Sequence, residues 1–347
     1  MPTPQALPTF SVIPGATVHR MLDGRHDDLL RLVASTYLAH GADRTVNPSS
    51  FFLRFPDRPT ARIIALPASL MEQPKVDGLK WIASYPDNLD RGLPRASAVL
   101  ILNDPVTGYP YACLESSIIS AVRTAASAAL AAQTLAESRT PPRRVGFIGT
   151  GLIARYLHEY IAALGWDIAA WGLYDLSPAY SRSFAGHVQE AEPHVPVHIH
   201  RSAESVIRSS DLIVFATTAT TPHVCDPDWF LHHPLVLHVS LRDLSPETVL
   251  NSVNVVDDIE QVLKAGTSVH LAAERTGRTD FLDATLYDAL TGSFTAPPDR
   301  TVVFSPFGLG VLDLAVGDYV HRRAAEQQEL MTVDGFFHDI HRHSRPD

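Results

Sequence analysis

The chain has 347 residues, 45% of them hydrophobic and 19% charged, with a formal net charge of −10. Length and composition suit an ordinary globular protein with room for two domains of roughly 100–200 residues each. The acidic balance, with no basic run to override it, argues against nucleic acid as a partner.

No uninterrupted apolar run approaches the roughly 20 residues of a membrane span. The start, MPTPQALPTF, lacks the basic residues and apolar core of a signal peptide. A cytoplasmic protein with no membrane partner is expected. Cys113 and Cys225 form neither a disulfide framework nor a metal spacing and are expected to be reduced and buried. The nearest approaches to histidine clusters, His194/His198/His200 and His338/His341/His343, read as solvated loop and tail positions, so no metal is expected.

In chain order, residues 1–18 look extended. His26–Ala39 carries Leu29, Leu30, Leu32, Val33, Tyr37 and Leu38 at helical spacing and ends at Gly41. Ser50–Phe55 and Ala61–Pro67 read as strands around the turn-rich Pro56-Asp57-Arg58-Pro59. Val76–Ser84, Ala96–Asn103 and Tyr109–Leu114 are further strands of an antiparallel, meandering part, with a polar loop at Tyr85–Leu93. Ser117–Glu137 is an Ala-rich helix and Ser138–Pro142 a linker.

A βαβαβ alternation follows: Val145–Ile148, helix Leu152–Leu164, Ile168–Tyr174, helix Ala179–Glu190 and Val195–His200. Then come a short helix Ser202–Ser209 and strands Asp211–Thr217, Leu235–Leu241, Val253–Val256 and Val302–Phe304. Asp313–Gln328 is a terminal helix, and the tail His338–Asp347 is expected to be disordered. Alternation on this scale predicts a doubly wound parallel sheet.

The break after Val145–Ile148 carries the clearest chemistry. Gly149 permits a tight turn, Gly151 lets backbone approach a pyrophosphate, and Ala154 supplies the small third residue for helix–strand packing. Thr150 and Leu152 complete the loop, whose helix-opening N–H groups face phosphates. Asp175 stands 26 residues past Gly149, near the spacing of the acid that binds the adenosine ribose. A carboxylate there favours NAD over NADP. Ser177 and Arg182 follow closely and moderate that preference. The competing reading is an ordinary αβ turn with a chance aspartate.

Three further stretches are Gly78-Leu79-Lys80 with Gly92-Leu93-Pro94, Ser120-Ala121-Val122-Arg123-Thr124-Ala125-Ala126, and Phe304-Ser305-Pro306-Phe307-Gly308. With the glycine loop and Tyr174-Asp175 the chain resembles the ornithine cyclodeaminase/mu-crystallin family over nearly its whole length. The resemblance implies an α/β fold: a central Rossmann-type NAD domain, 126–310, inside an α+β substrate-binding and dimerisation domain, 1–125 and 311–347. It also implies a homodimer and an amino-acid substrate. Lys80–Asn88, Pro94–Ala98 and Val239–Asp243 resemble a narrower branch, the N-(2-amino-2-carboxyethyl)-L-glutamate dehydrogenases that make 2,3-diaminopropionate, a siderophore or antibiotic precursor. Cyclodeaminases proper have a small hydroxyl residue where Arg95 stands and a Gly-Gly-Asp-type turn where Leu241-Arg242-Asp243 stands.

Family chemistry removes hydride from an amino acid's α-carbon. Arg123 is a candidate fork for the α-carboxylate, against the alternative of a surface helix arginine. Lys80, in an apolar strand, wants a carboxylate partner if it points inward. Arg44 is a weaker candidate for the same clamp, suited only if Phe51–Arg62 is an inserted hairpin. The resemblance makes Asp243 the general acid/base that holds the substrate amine, whereas a bland reading makes it a helix cap beside the better cap Ser245. Thr217, Thr218 and Ser240 are expected beside the dinucleotide, and Ser305 and Gly308 on its nicotinamide side. Arg95, with Arg242, suits a substrate bearing three carboxylates and repels ornithine; the alternative is a solvated loop arginine. The expected reaction is NAD-dependent oxidative hydrolysis of N-(2-amino-2-carboxyethyl)-L-glutamate. Two alternatives remain: a cyclodeaminase that recycles NAD, and a non-catalytic mu-crystallin-like binding protein.

Overall fold

A computed structural model describes residues 8–338. His341, His343 and nearly all of the tail His338–Asp347 lie outside the described residues, as do the first residues of the segment 1–18.

The first part of the chain comprises β1 (Ser11–Ile13), α1 (Gly15–Leu22), α2 (His26–Gly41), β2 (Thr45–Val46), β3 (Phe51–Phe55), β4 (Arg58–Leu70), β5 (Val76–Ser84), β6 (Ala96–Asn103), β7 (Pro110–Glu115) and α3 (Ser117–Ala136). Next come β8 (Arg144–Ile148), α4 (Leu152–Ala162), β9 (Ala170–Tyr174), α5 (Pro178–Ala191), β10 (Val197–Ile199), α6 (Ala203–Ser209), β11 (Leu212–Phe215) and β12 (Leu235–His238). The rest are α7 (Pro246–Leu250), β13 (Val253–Val256), α8 (Ile259–Val262), α9 (Ser268–Thr276), β14 (Leu282–Thr285), α10 (Leu286–Leu290), β15 (Val302–Ser305), α11 (Gly310–Glu326) and β16 (Met331–Thr332).

Two compact units result. One joins Met1–Arg25, Ala39–Arg123 and Leu309–Asp347; the other joins His26–Leu38 and Thr124–Gly308. The sequence reading placed residues 26–38 with the substrate domain, but they group with the second unit. Tyr37 is buried with its hydroxyl 3.2 Å from Ser127 Oγ, and His26 meets the Tyr160 ring edge-on. Tyr37 of α2 therefore meets α3, and His26 at its start meets α4.

The first unit is built on a mixed sheet in the order β16-β1-β7-β6-β5-β4-β2, with β3 hairpinned onto β4. Strands β3 to β7 form the expected antiparallel meander, but β1 runs parallel to β7. Helix α11 covers one face of β4, β5 and β6. The approach is close: a Cβ on Gly317 would stand 2.1 Å from Leu100. Part of the segment expected to be extended is helical instead. Pro14 caps α1, and Thr17, Val18, Met21 and Leu22 bury one helical face.

The second unit is a parallel sheet in the order β10-β9-β8-β11-β12-β15-β13-β14. Its strand order reverses between β8 and β11, where open α/β sheets place ligands at the carboxyl ends. Together the sheets make the α/β architecture expected. Helix α3 is long and apolar enough to cross a membrane by length and composition, although Ser, Thr, Arg and Gln interrupt its apolar residues. Two thirds of it is buried within the protein, as in a core helix.

Both cysteines are free thiols, but neither is buried as expected. Cys225 is exposed, and Cys113 is half-buried on the face of the first sheet opposite α11.

Candidate active site

In the first unit, Lys80 sits mid-strand in β5, between Leu66 and Leu100 of its neighbours, and is 1% exposed. An inward lysine needs an anion. Its Nζ lies 2.6 Å from Asp313 Oδ2 and 3.3 Å from Ser120 Oγ. Arg123, in the second turn of α3, places Nε 3.3 Å from the other oxygen of Asp313. Asp313 is fully buried in the first turn of α11, whose N-terminal dipole favours a carboxylate.

Two cations against one carboxylate leave this cluster one positive charge over, in a place where an unpaired charge is costly. Burial first, with Arg123 adding to it and Asp313 opposing, lowers the Lys80 ammonium to about 8. The cluster can accept one more anion, and a substrate carboxylate has the right charge.

Arg95 precedes β6 and donates through Nη1 to Ser84 Oγ at 2.7 Å. Burial pushes its guanidinium below the usual range, and no acidic partner accompanies it among the described residues. Arg44 is not in the Lys80–Arg123 cluster. The β3–β4 hairpin that its role required is present, yet its guanidinium pairs with Glu72 at 2.5 Å.

In the second unit, Gly149 leaves β8 at φ +87°, where a Cβ would strike Ala216 O at 2.6 Å. Gly151 is the N-cap of α4. It provides no side-chain cap, and the space where a Cβ would stand is open. The first N–H groups of α4 are thus unclaimed by a cap, as a bound phosphate requires. Asp175 closes the loop: Oδ2 accepts from the Thr150 N–H at 2.8 Å and Oγ1 at 3.1 Å, and Oδ1 accepts from the Ser177 N–H at 2.8 Å. A carboxylate has about four lone-pair sites, so one remains for a ribose hydroxyl. The seat fits a dinucleotide. Leu152 stands half exposed at its edge.

Asp243 is the other centre of this unit. It is fully buried in a turn where Leu241 adopts φ +70°, held by the Ser268 N–H on Leu241 O at 2.7 Å. A non-glycine residue in that region stores strain, which clusters at functional sites. Thr217 Oγ1 and Ser240 Oγ each donate to the carboxylate at 2.5 Å. His223 Nε2 lies 3.0 Å from Oδ1.

Between Asp243 and Ser305 sits His238, also fully buried. Its Nε2 is 3.1 Å from the Asp243 N–H and 3.2 Å from Oδ2, while Nδ1 is 3.2 Å from Ser305 Oγ. Nε2 can accept from the backbone or donate to the carboxylate, one tautomer for each. Burial alone would raise the Asp243 carboxyl. The hydrogen bonds from His223, His238 and Ser240 outweigh it and hold the group far below the usual range. Ser245, not Asp243, caps α7.

The structure brings together Lys80 with Arg123, the Gly149–Leu152 loop with Asp175 and Ser177, and Asp243 with Thr217, Ser240 and, through His238, Ser305. Thr218 is exposed outside this network. Arg242 donates to Ala265 O at 2.7 Å, and the Gly308 N–H donates to Asp257. Sequence reasoning missed Asp313, Ser120, His223 and His238. An acid inside the apolar run Val311–Val316 and a histidine ending the apolar strand Leu235–His238 were the available signals.

A model of the ornithine cyclodeaminase/mu-crystallin family matches residues 28–328. The chain is 28% identical to an N-((2S)-2-amino-2-carboxyethyl)-L-glutamate dehydrogenase of Staphylococcus aureus, over 79% of this chain and 82% of that protein. It is 31% identical to a nodulation efficiency protein of Rhizobium meliloti, over 88% and 92%. Its fold matches the Δ1-pyrroline-2-carboxylate reductase of Thermococcus litoralis, solved with NADH and L-proline, with a TM-score of 0.85 at 23% identity. That match covers 93% of this chain and all of the other.

Proposed function

The chain belongs to the ornithine cyclodeaminase/mu-crystallin family, and from that premise we propose that it is an NAD-dependent dehydrogenase of N-(2-amino-2-carboxyethyl)-L-glutamate. The amine is oxidised at the glutamyl α-carbon, and water splits the imine into 2,3-diaminopropionate and 2-oxoglutarate, with one NADH and one proton released. The observation that carries the choice of substrate is Arg95, a half-buried guanidinium with no acidic partner among the described residues. It suits a substrate rich in carboxylates and opposes the cationic side chain of ornithine. The likeness to the staphylococcal enzyme points the same way.

When bound at the Gly149–Leu152 loop and Asp175, NAD supplies the hydride acceptor. Lys80 and Arg123 hold the α-carboxylate, filling the charge that Asp313 leaves unmatched. Asp243, ionised at neutral pH, accepts a hydrogen bond from the amine and stabilises positive charge on nitrogen as hydride leaves. It then takes a proton from the water attacking the imine. His223, 39% exposed and hydrogen-bonded to Asp243, passes that proton to solvent.

Incubation with NAD and the glutamate adduct tests this reading: NADH and 2-oxoglutarate should appear one for one. Turnover of ornithine or lysine without net NADH would overturn it.

Lys80 sets a pH dependence. The ammonium binds carboxylate and the amine does not, so KM is expected to be flat below pH about 8. Above that it should rise by about tenfold per pH unit. Lys80→Arg, always charged, should remove the inflection; an inflection that survives belongs to another group.

The face of the first sheet opposite α11 carries Phe51, Leu53, Trp81 and Val99, exposed by 67, 47, 40 and 40%. Phe51, Ala65, Trp81 and Val99 form one cross-strand row, an apolar surface suited to a second copy of the chain. The enzyme works as a homodimer through it. Sedimentation velocity should give a dimer for the wild type and a monomer for Trp81→Glu.

A further inference from the structure

Arg62 stands directly opposite Ser84 in the β4–β5 ladder, and Arg54 directly opposite Arg62 in the β3–β4 hairpin. Residues paired across a ladder share one face of a sheet. Side chains alternate along a strand, so Ser84 shares its face with Ile82 and Lys80. Ser84 Oγ also receives Arg95. Arg62 from β4 and Arg95 from the residue before β6 therefore converge on one position, on the face that carries Lys80.

Like charges facing each other in a ladder destabilise it. Here Arg54 faces Arg62, with the Arg54 guanidinium over the Phe52 ring at 5.2 Å. The pair places two guanidinium-bearing residues at this end of the sheet, a position that favours a carboxylate. Between the two cationic ends lies a single register row, Phe52–Ile64–Ile82, in which Ile64 and Ile82 are half-buried. From Lys80 to Ser84 is four residues, about 13 Å along the strand. Lysine and arginine arms reaching from both ends leave room for a short chain with a carboxylate at each end.

We propose that Arg62 and Arg95 form a second carboxylate subsite, which takes the side-chain carboxylate of the glutamyl half while Lys80 and Arg123 hold its α-carboxylate. The two methylenes between them lie on Ile82 and Ile64. The other arm of the substrate carries an amine next to its carboxylate and matches an apolar row less well. This assignment rests on the reading of the substrate given above, but its test does not require turnover.

The test compares binding of 2-oxoglutarate and of 2-oxobutyrate, which lacks the distal carboxylate, to the NAD-loaded protein by calorimetry. Wild type should prefer 2-oxoglutarate by about 10- to 100-fold. Arg62→Gln and Arg95→Gln should each bring that ratio close to one and leave 2-oxobutyrate affinity unchanged, which also shows that the variants are folded. Arg62→Lys should keep part of the preference. A wild-type ratio near one, or a ratio that survives both substitutions, overturns the subsite whether or not the adduct is oxidised. A preserved pattern without NADH from the adduct upholds the subsite and overturns the reaction.

Discussion

Asp243→Asn is expected to lower kcat for NAD-linked oxidation by about 10²- to 10⁴-fold, the usual range for losing a positioned acid/base, while NAD affinity changes little. The substitution is informative because it is nearly isosteric. Thr217 and Ser240 donate to the carboxylate through hydroxyls, which rotate and can accept from an amide instead. The buried turn therefore keeps its bonds and loses the negative charge. NAD binding depends on the glycine loop and Asp175, not on that charge.

His223→Gln separates two roles, because it keeps a donor for Oδ1 and loses the proton carrier. It should lower kcat by about tenfold and leave KM alone; an unchanged rate would remove His223 from the proton path. Unchanged turnover in Asp243→Asn would remove Asp243 from the chemistry.

The same variant carries a stability signature. Asp243 is held below its usual range in the folded protein, so the unfolded chain takes up its proton first as pH falls. Its contribution is therefore complete above pH about 4 and is lost on acidification. The stability gap between wild type and Asp243→Asn should be wider at pH 7 than at pH 3. A gap of equal width at both would show that the hydrogen bonds to His223, His238 and Ser240 do not favour the ionised form.

What could be read from the sequence was local. Val145–Ile148 followed by Gly149 and Gly151 declares a strand, a turn and a helix within ten residues, and the structure places each there. The meander from β3 to β7 was legible for the same reason, from alternation and turn residues. Helix α1 was lost because residues 1–18 were read as extended throughout, although the extended stretch ends at the N-cap Pro14. The start of α7 was legible in its cap Ser245, whereas α8 to α10, of nine residues or fewer, carry no periodicity long enough to show.

The centres themselves are tertiary. His223 lies 20 residues from Asp243, and Asp313 lies 233 from Lys80; only folding brings them to 3.0 and 2.6 Å. Arg62 carries no signal in sequence either. Its place beside Arg95 follows from the register of β4 on β5, and a slip of one residue would put it on the other face.

Asp313→Asn is expected to lower stability by about 3–5 kcal/mol, the usual range for removing one partner of a buried ion pair. Lys80 and Arg123 would then face each other without a countercharge. Lys80 has a way out that Arg123 lacks. Its ammonium already titrates at about 8, and without Asp313 it falls further, so at neutral pH it sheds its proton and the repulsion with it.

Two consequences follow. The variant's deficit should be larger at pH 6 than at pH 9, because between the lowered folded value and the ordinary lysine value the unfolded chain binds the extra proton and stability rises with pH. Carboxylate affinity should also drop, since a neutral Lys80 no longer draws an anion. Lys80→Met with Asp313→Leu should recover most of the stability, because a buried pair replaced by apolar groups of similar volume is often neutral. It should not recover binding. Thermal unfolding at the two pH values, with 2-oxobutyrate titrations, checks all three. If Asp313→Asn unfolds like the wild type at pH 6 and binds 2-oxobutyrate as well, the Lys80–Asp313–Arg123 cluster neither holds the first unit together nor prepares it for a carboxylate.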